Sequence, residues 1–404
     1  MTREFINFVL THENEDTARL LLSAARYPDI DMPQAVQQIE GRRTAREKWP
    51  SLLRCEDFRY PPQLNREQAS SEAVAARRVE ACLEDLSLDG HNVANPATLH
   101  VADLTGGMGV DTIAFARVCR EVEYIERDVL LCSLAESNFK SIGLDNVHVH
   151  QADCIEWLRE QTARQVVFDI IFIDPARRDT HGRKMVGFDS CLPNILEHME
   201  LLRQCSRFLV VKASPMIDID LGCRQLKYVT DVFVLAYRGE CKEVAFMCGK
   251  ANEWPLIHSI VVDGDDLQYF CFTRKEEREA YLDLADEVGE FLYEPNVAVM
   301  KAAPYAMLTQ EYDVRALAPN THLYTSDEFE EDFPGRVFHV LKELKLSKKS
   351  ISEAIPDSKA HVITRNYPVS AADLQRQLGL TEGGDIFVVA TTVGNRKCGF
   401  LCKL

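Results

Sequence analysis

Apolar and polar positions change rhythm three times along the chain. Over the first 88 residues the spacing is helical. Leu20, Leu21, Leu22, Ala24 and Ala25 form an apolar stripe that Pro28 closes. Pro33 opens a second helix toward Ile39, and Pro50 ends that region. Pro61 and Pro62 break the chain again. Asn65, followed by Gln68, reads as an N-cap with its partner three residues on. The helix expected over 69–86 carries Ala73, Ala76, Val79 and Leu83 on one side.

Near Asn95 and Pro96 the pattern becomes strand–helix alternation. A short strand through Leu99, Val101 and Leu104 ends in a glycine turn, and a helix over 112–118 follows. Strands over 122–125, 147–150, 168–173 and 208–211 alternate with helices over 130–142, 154–160, about 193–202 and 221–226. Strands over 232–236 and 244–248 close the set. Such alternation predicts a mostly parallel sheet covered on both faces. The last two strands are joined only by residues 237–243, too short for a parallel crossover, so they are antiparallel. Runs over 257–262 and 268–272 flank Asp263-Gly264-Asp265-Asp266, a hairpin signal.

Beyond Thr273 the alternation stops. Residues 276–332 mix a helix, Pro295, Pro304, Pro319 and an acidic cluster from Glu328 to Asp332. From Arg336 the pattern is a strand or helix over 337–344, a strand over 360–364, a helix over 371–378 and a strand over 385–392. The expected division is a helical extension at 1–88, an α/β ligand-binding domain at 89–275, an acidic α+β linking domain at 276–333 and a basic domain at 334–404.

Composition narrows the class. With 46% hydrophobic and 27% charged residues, a disordered or fibrous chain is excluded. No apolar run approaches the roughly 18 residues of a membrane span. Met1-Thr2-Arg3-Glu4 leads into no signal-type apolar core, so a cytoplasmic protein without a membrane partner is expected. The thirteen cysteines have no pairing rhythm and read as reduced thiols. Cys398 and Cys402 lack a second pair for a zinc site, the eleven histidines are read as forming no His-x-x-x-His or His-x-His set, and no metal is expected.

The net charge of −17 argues against a nucleic-acid partner held by bulk charge. Its distribution changes that picture. Residues 334–404 hold 11 Lys and Arg against 6 Asp and Glu, a local +5, while the remaining residues hold 35 against 57. A basic tail on an acidic body has two readings, a solvated face or an interaction domain.

Two segments carry chemistry. The first is Val101-Ala102-Asp103-Leu104-Thr105-Gly106-Gly107-Met108-Gly109-Val110-Asp111-Thr112. A carboxylate ends an apolar strand, three glycines follow, and a helix begins. Glycines let the backbone approach a ligand, and Glu126 ends the next strand, where a carboxylate can accept ribose hydroxyls. Asp103 would repel a pyrophosphate. It suits a cation such as the sulfonium and ammonium of S-adenosylmethionine.

This segment resembles motif I of the class I S-adenosylmethionine-dependent methyltransferases. With Thr112-Ile113-Ala114-Phe115-Ala116 it is similar to the trimethylguanosine-synthase-like and amino-methylating RNA enzymes. The resemblance covers roughly 68–248 and implies a Rossmann-like α/β sheet of seven strands. It implies S-adenosylmethionine as cofactor, with Asp103, Thr105, Gly106, Gly107 and Gly109 around its methionine end and Glu126 on its ribose. Asp153 then falls at the adenine amine, with Cys154 beside it; Asp153 also reads as a helix N-cap. Gln68-Ala69-Ser70-Ser71-Glu72 resembles the pre-motif segment that closes over the cofactor.

The second segment is Asp169-Ile170-Ile171-Phe172-Ile173-Asp174-Pro175-Ala176-Arg177-Arg178. It resembles the Asp/Asn-Pro-Pro-aromatic motif of enzymes that methylate exocyclic base amines. Such an amine is a poor nucleophile, because its lone pair is delocalised into the ring. The Asp174 carboxylate and the Pro175 carbonyl can accept its two N–H bonds and turn the lone pair toward the methyl group. The family's second proline and aromatic are here Ala176 and Arg177. Arg177 can stack on a base, grip a phosphate or pair with a nearby aspartate. Arg178, Arg183 and Lys184 make the loop basic, and Lys212 follows the fifth strand at the active edge; Arg178 and Lys212 are expected in the substrate site. No cysteine follows Asp174-Pro175, so the covalent cytosine-C5 route lacks its nucleophile there.

The last 70 residues resemble a THUMP-like domain at Asn366-Tyr367-Pro368-Val369 and Asp385-Ile386-Phe387-Val388-Val389-Ala390-Thr391. Lys345, Lys348, Lys349 and Lys359 would be its phosphate contacts. The expectation is a methyltransferase acting on a base amino group in RNA, with RNA held by the C-terminal domain and the loop after Asp174. The alternatives are a small-molecule or protein methyltransferase, or a non-catalytic RNA-binding protein. Oligomeric state is not legible.

Overall fold

A computed structural model describes residues 1–88, 95–177, 187–189, 191–249, 253–263 and 266–404. The chain divides into two units. One holds Met1–Leu235 with Lys242–Glu253, the other Ala236–Cys241 with Trp254–Leu404.

The first unit opens with five helices: α1 (Arg3–Thr11), α2 (Thr17–Leu22), α3 (Met32–Lys48), α4 (Gln63–Gln68) and α5 (Glu72–Leu88). Thr2, Asp16 and Asp31 cap α1, α2 and α3 through their side chains, and Pro33 sits in the first turn of α3. Asn65 is not an N-cap. It lies inside α4, because the chain turns extended at Ala69 and α5 starts at Glu72, where Ser71 Oγ accepts the Val74 N–H at 3.4 Å. The extension is part of the catalytic core. Trp49, Phe58 and Tyr60 pack with Val110, Ile113, Tyr124 and Phe139 in one buried cluster. Each such side chain contributes on the order of 1.5–3 kcal/mol by leaving water.

The sheet follows the alternation. In chain order the elements are β1 (His100–Asp103), α6 (Val110–Ala116), β2 (Glu121–Glu126), α7 (Val129–Ser141), β3 (Val147–Gln151), α8 (Cys154–Ala163) and β4 (Phe168–Ile173). Two short strands follow, β5 (Ala176–Arg177) and β6 (Cys191–Leu192). Then come α9 (Ile195–Gln204), β7 (Ser206–Ala213), α10 (Ile219–Leu226), β8 (Val229–Tyr237) and β9 (Glu240–Cys248). Seven strands lie in the order β8-β9-β7-β4-β1-β2-β3. β1 to β4 and β7 pair in parallel, and β9 runs antiparallel to β7. A large, mostly parallel sheet is thus present, as the alternation predicts, and these seven strands belong to it. β4 lies between β1 and β7, which is why Ile170, Ile171, Phe172 and Ile173 read as an unbroken apolar run. From β1 the chain steps outward to β2 and β3, then returns to β4 on the other side of β1. That reversal opens a crevice at the carboxyl ends of β1 and β4.

The second unit holds the hairpin β10 (Leu256–Asp263) and β11 (Asp266–Thr273), whose turn residues 264 and 265 lie outside the described residues. Next come α11 (Arg274–Glu279), β12 (Phe291–Pro295), α12 (Val297–Ala302), α13 (Met307–Glu311), β13 (Arg315–Ala316) and β14 (Tyr324–Ser326). The chain ends with β15 (Gly335–Glu343), α14 (Lys348–Ala354), β16 (His361–Thr364), α15 (Ala371–Leu378), β17 (Phe387–Val393) and β18 (Arg396–Lys403). One sheet, ordered β13-β14-β12-β15-β18-β17-β16, takes strands from both the acidic and the basic stretches. No helix among the described residues is long and apolar enough to cross a membrane.

Candidate functional site

The crevice at the β1 and β4 ends is a cleft of about 810 Å³. The glycine turn forms its floor. Gly106 N–H donates to the Ile125 carbonyl, and the Tyr124 hydroxyl donates to the Gly107 carbonyl at 2.7 Å. A Cβ on Gly106 would lie 2.2 Å from the buried Tyr124 ring, so only glycine fits. Gly107, at φ +53, needs glycine for its conformation and not for space. Glu126 is held rigidly. Its Oε2 accepts the Gly107 N–H at 3.0 Å, and its Oε1 accepts the N–H groups of Arg127 and Asp128 at 2.8 and 2.9 Å.

Asp103 does not line the cleft; it lies under the turn and is fully buried. Its Oδ2 accepts the Thr112 hydroxyl at 2.6 Å and its Oδ1 the Thr105 N–H at 3.1 Å. Burial first, then the charge of Asp111, push its carboxyl up to about 7 against the pull of those two hydrogen bonds. Thr105 ties the two strand ends together, because its Oγ1 accepts the Asp174 N–H at 2.7 Å.

Asp174 follows β4 at the cleft, and Lys212 from β7 meets it, Nζ to Oδ2, at 2.5 Å. Among the described residues Asp174 Oδ1 carries no hydrogen bond. Burial pushes the Lys212 ammonium down. The attraction of Asp174, Asp111 and Glu243 outweighs that and holds it above the ordinary lysine value. Behind this pair the buried Arg78 guanidinium bridges Asp111 and Glu243, with Phe172 under its plane at 4.9 Å. Sequence reading missed the Arg78 bridge. Its signal was an arginine on the otherwise small-residue face of α5.

The other expected residues fall as follows. Thr105, Gly106, Gly107, Gly109, Glu126, Asp153 and Cys154 line the cleft. Asp153 also caps α8, accepting from Ile155 and Glu156. Burial, then Asp153, push the Cys154 thiol up to about 12. Asn65, Gln68 and Ala69 line the cleft too. Lys48 Nζ fixes that segment by donating to the carbonyls of Arg66, Glu67 and Ala69 at 3.0–3.2 Å. Pro175 is buried, and the Arg177 backbone pairs with Cys191 between β5 and β6. The Arg177 side chain, Arg178, Arg183 and Lys184 lie outside the described residues. Lys345, Lys348 and Lys349 belong to the second unit and are exposed around the start of α14. Among the described residues the cleft lining carries eight carboxylates against three Lys and Arg side chains, a field that favours a cationic ligand.

Comparison with known proteins agrees with this reading. An RNA cap guanine-N2 methyltransferase family model matches residues 98–210, a ferredoxin-like domain 291–334 and a THUMP domain-like model 335–404. The chain is 30% identical over 145 residues to the 23S rRNA (uracil(1939)-C(5))-methyltransferase of Aeromonas salmonicida, covering 34% of this chain and 26% of that one. The enzyme of that name from Xanthomonas euvesicatoria is 39% identical over 77 residues, 19% of this chain and 17% of its own. The matched stretch therefore spans about a quarter or less of the length of these curated relatives. A crystal structure described as a candidate methyltransferase of Porphyromonas gingivalis W83 matches 99% of this chain and 97% of its own, with 26% identity and a TM-score of 0.85. The chain carries a class I S-adenosylmethionine-dependent methyltransferase domain, followed by a ferredoxin-like segment and a THUMP-like domain.

Proposed function

We propose that the chain methylates an exocyclic amino group of a base in RNA, with S-adenosylmethionine as the methyl donor. The observation that carries this reading is the Asp174 carboxylate at the cleft, with one oxygen paired to Lys212 and the other without a described partner.

The residues fit the cofactor. The lining is acidic, Glu126 presents a fixed carboxylate, and the buried Asp103 beneath the turn, its carboxyl pushed up to about 7, is a group whose ionised form a nearby cation would favour. When bound, the cofactor supplies an electrophilic methyl group on a sulfonium. The chain's own part is orientation and charge. Asp174 Oδ1 and the Pro175 carbonyl accept the two amine N–H bonds and aim the nitrogen lone pair. Lys212 holds the Asp174 carboxylate in place through their ion pair, so that no reorganisation is needed as positive charge builds on the amine. The proton released after transfer leaves through Asp174 Oδ1 to solvent. RNA is held by the exposed lysines Lys345, Lys348 and Lys349 of the THUMP-like domain, and by the basic residues Arg178, Arg183 and Lys184 that follow Asp174 in the sequence, in the cytoplasm.

A second reading, methylation at C5 of uracil, is favoured by the match to the curated relatives. One experiment separates the two. The chain is incubated with RNA and methyl-labelled cofactor, and the RNA is digested to nucleosides for mass spectrometry. Label in an N-methylated guanine or adenine, lost in Asp174→Ala with cofactor affinity kept within about threefold, supports the amine reading. Label in 5-methyluridine overturns it. Label only in protein or in a small-molecule extract removes RNA as substrate. A chain that binds RNA and transfers nothing is not an enzyme.

A further inference from the structure

The face of the sheet at β1, β2 and β3 gathers three histidines and two glutamates. His100 lies opposite Glu121 in the register, and Glu123 lies opposite His148, so all five alternate onto one face with His150. His100 Nε2 is 2.9 Å from Glu123 Oε1 and 4.0 Å from Glu121 Oε2. His150 Nε2 is 2.5 Å from Glu123 Oε2, and His148 Nε2 is 2.8 Å from Glu121 Oε1. None of the five lines the cleft.

We propose that this cluster binds one divalent ion of the zinc class, with His100, Glu121 and Glu123 as its ligands and His148 and His150 completing or supporting the set. Ligand atoms of His100, Glu121 and Glu123 already lie within 4.8 Å of one another. A tetrahedral ion with bonds of about 2.0–2.2 Å needs them roughly 3.4 Å apart, a closure that side-chain rotation supplies. An ion would replace the hydrogen bonds that now join these imidazoles and carboxylates, using the same Nε2 and carboxylate oxygens. The rings are held in place: His100 packs on Phe168 at 4.8 Å and His150 near Trp157 at 5.4 Å. His148 is about half exposed, which leaves an entry path. The competing cation is Arg120, more than half exposed, with its Nη2 3.8 Å from Glu121.

The donor set selects the metal. Imidazole with carboxylate suits Zn²⁺, Co²⁺ or Ni²⁺, whereas Ca²⁺ and Mg²⁺ take oxygen ligands throughout. The expectation of no metal rested on cysteine pairing and on reading no His-x-x-x-His or His-x-His set among the eleven histidines, and the second ground fails at one place. The signal it passed over is His148-Val149-His150, two imidazoles on one face of a strand.

The test uses the full chain, stripped with a chelator and reloaded with Zn²⁺ against a chromophoric competitor. Thiols are also zinc ligands and the chain has thirteen, so stoichiometry alone does not decide. X-ray absorption does, because nitrogen and oxygen shells sit near ~2.0–2.1 Å and sulfur near ~2.3 Å. The expected result is one ion per chain in a nitrogen–oxygen shell, with affinity at least about tenfold weaker in Glu123→Gln and in a His148→Gln, His150→Gln double variant. Circular dichroism and cofactor titration check that each variant is folded. The double variant, altered at the more exposed positions, serves if Glu123→Gln does not fold. A sulfur shell, unchanged affinity in the folded variants, or no tight binding by the parent chain overturns the site and leaves a hydrogen-bonded His–Glu ladder. The methyltransferase reading is untouched by any of these outcomes.

Discussion

Asp103→Asn should flatten the pH dependence of stability while weakening cofactor binding. In the folded chain the Asp103 carboxyl is pushed up to about 7 from its ordinary 3.8. Between those values the folded state holds a proton that the unfolded chain has released. Stability therefore falls as pH rises from about 4 to about 7, and the loss is complete above that. A difference of roughly three pH units corresponds to about 4 kcal/mol at most. Asparagine keeps the shape and removes the charge. Its Oδ1 still accepts the Thr105 N–H, but its amide now faces Thr112 Oγ1, which must turn from donor to acceptor. That reversal costs about 1–3 kcal/mol. The net expectation at pH 8, without ligand, is a variant more stable than the parent by about 1–3 kcal/mol, with the advantage gone or reversed at pH 5. Urea unfolding of both chains at pH 5, 6, 7 and 8 reads this directly. Parallel stability curves would mean that Asp103 is ionised at ordinary cost, and the reasoning about uncompensated charge would fail. The same variant, although more stable, should bind S-adenosylmethionine at least about tenfold more weakly by calorimetry.

Three further outcomes follow from the cleft's construction. Gly106→Ala places a Cβ 2.2 Å from a Tyr124 ring that cannot move freely, and should cost about 1–3 kcal/mol with loss of cofactor binding; an unchanged melting temperature contradicts the packing argument. Arg78→Met removes the guanidinium that bridges Asp111 and Glu243, a loss of about 3–5 kcal/mol that adding Glu243→Gln should partly restore; no rescue in thermal melts would show that the bridge is not what Arg78 supplies. Lys212→Met should lower kcat at least about tenfold with cofactor affinity kept, and a KM effect alone would place Lys212 in substrate binding only.

Much of the architecture was legible because each signal was local. The glycine turn, the unbroken apolar run of β4 and the short 237–243 connection state their own conformations, and element bounds read from them fall within a few residues of those observed. Two kinds of element were not legible. β18 carries Arg396, Lys397, Gly399 and Lys403 among buried Cys398, Phe400 and Cys402, so its strand character comes from pairing with β15 and β17 rather than from its own propensity. The start of α5 was misplaced because Asn65 and Gln68 satisfy a capping rule that the extended turn at Ala69 overrides. At the site, cofactor-side residues were found one by one, since each sits at a strand end. The pairings of Lys212 with Asp174 and of Arg78 with Asp111 and Glu243 join residues from 33 to 165 positions apart, and no spacing rule reaches that far.

The two RNA-base chemistries make opposite demands on this cleft, and Cys191 decides between them. Methylation at C5 of uracil requires a thiolate to add to C6, which makes C5 nucleophilic. After methyl transfer a base removes the C5 proton and the thiolate is expelled. A thiol serves only if its proton is easily lost. Of the two cysteines that line the cleft, Cys154 is pushed up to about 12 and is a thiol at any physiological pH. That leaves Cys191 on β6, opposite Arg177. Amine methylation needs no nucleophile from the protein, only the acceptors at Asp174 and Pro175. Cys191→Ser, close in size and with a hydroxyl that cannot replace a thiolate at C6, should therefore leave kcat within about twofold. No denaturation-resistant adduct should form between the parent chain and RNA containing 5-fluorouracil. A loss of kcat by a factor of about a thousand in Cys191→Ser, together with that adduct, would instead make Cys191 the nucleophile and Asp174 a group that positions a uracil.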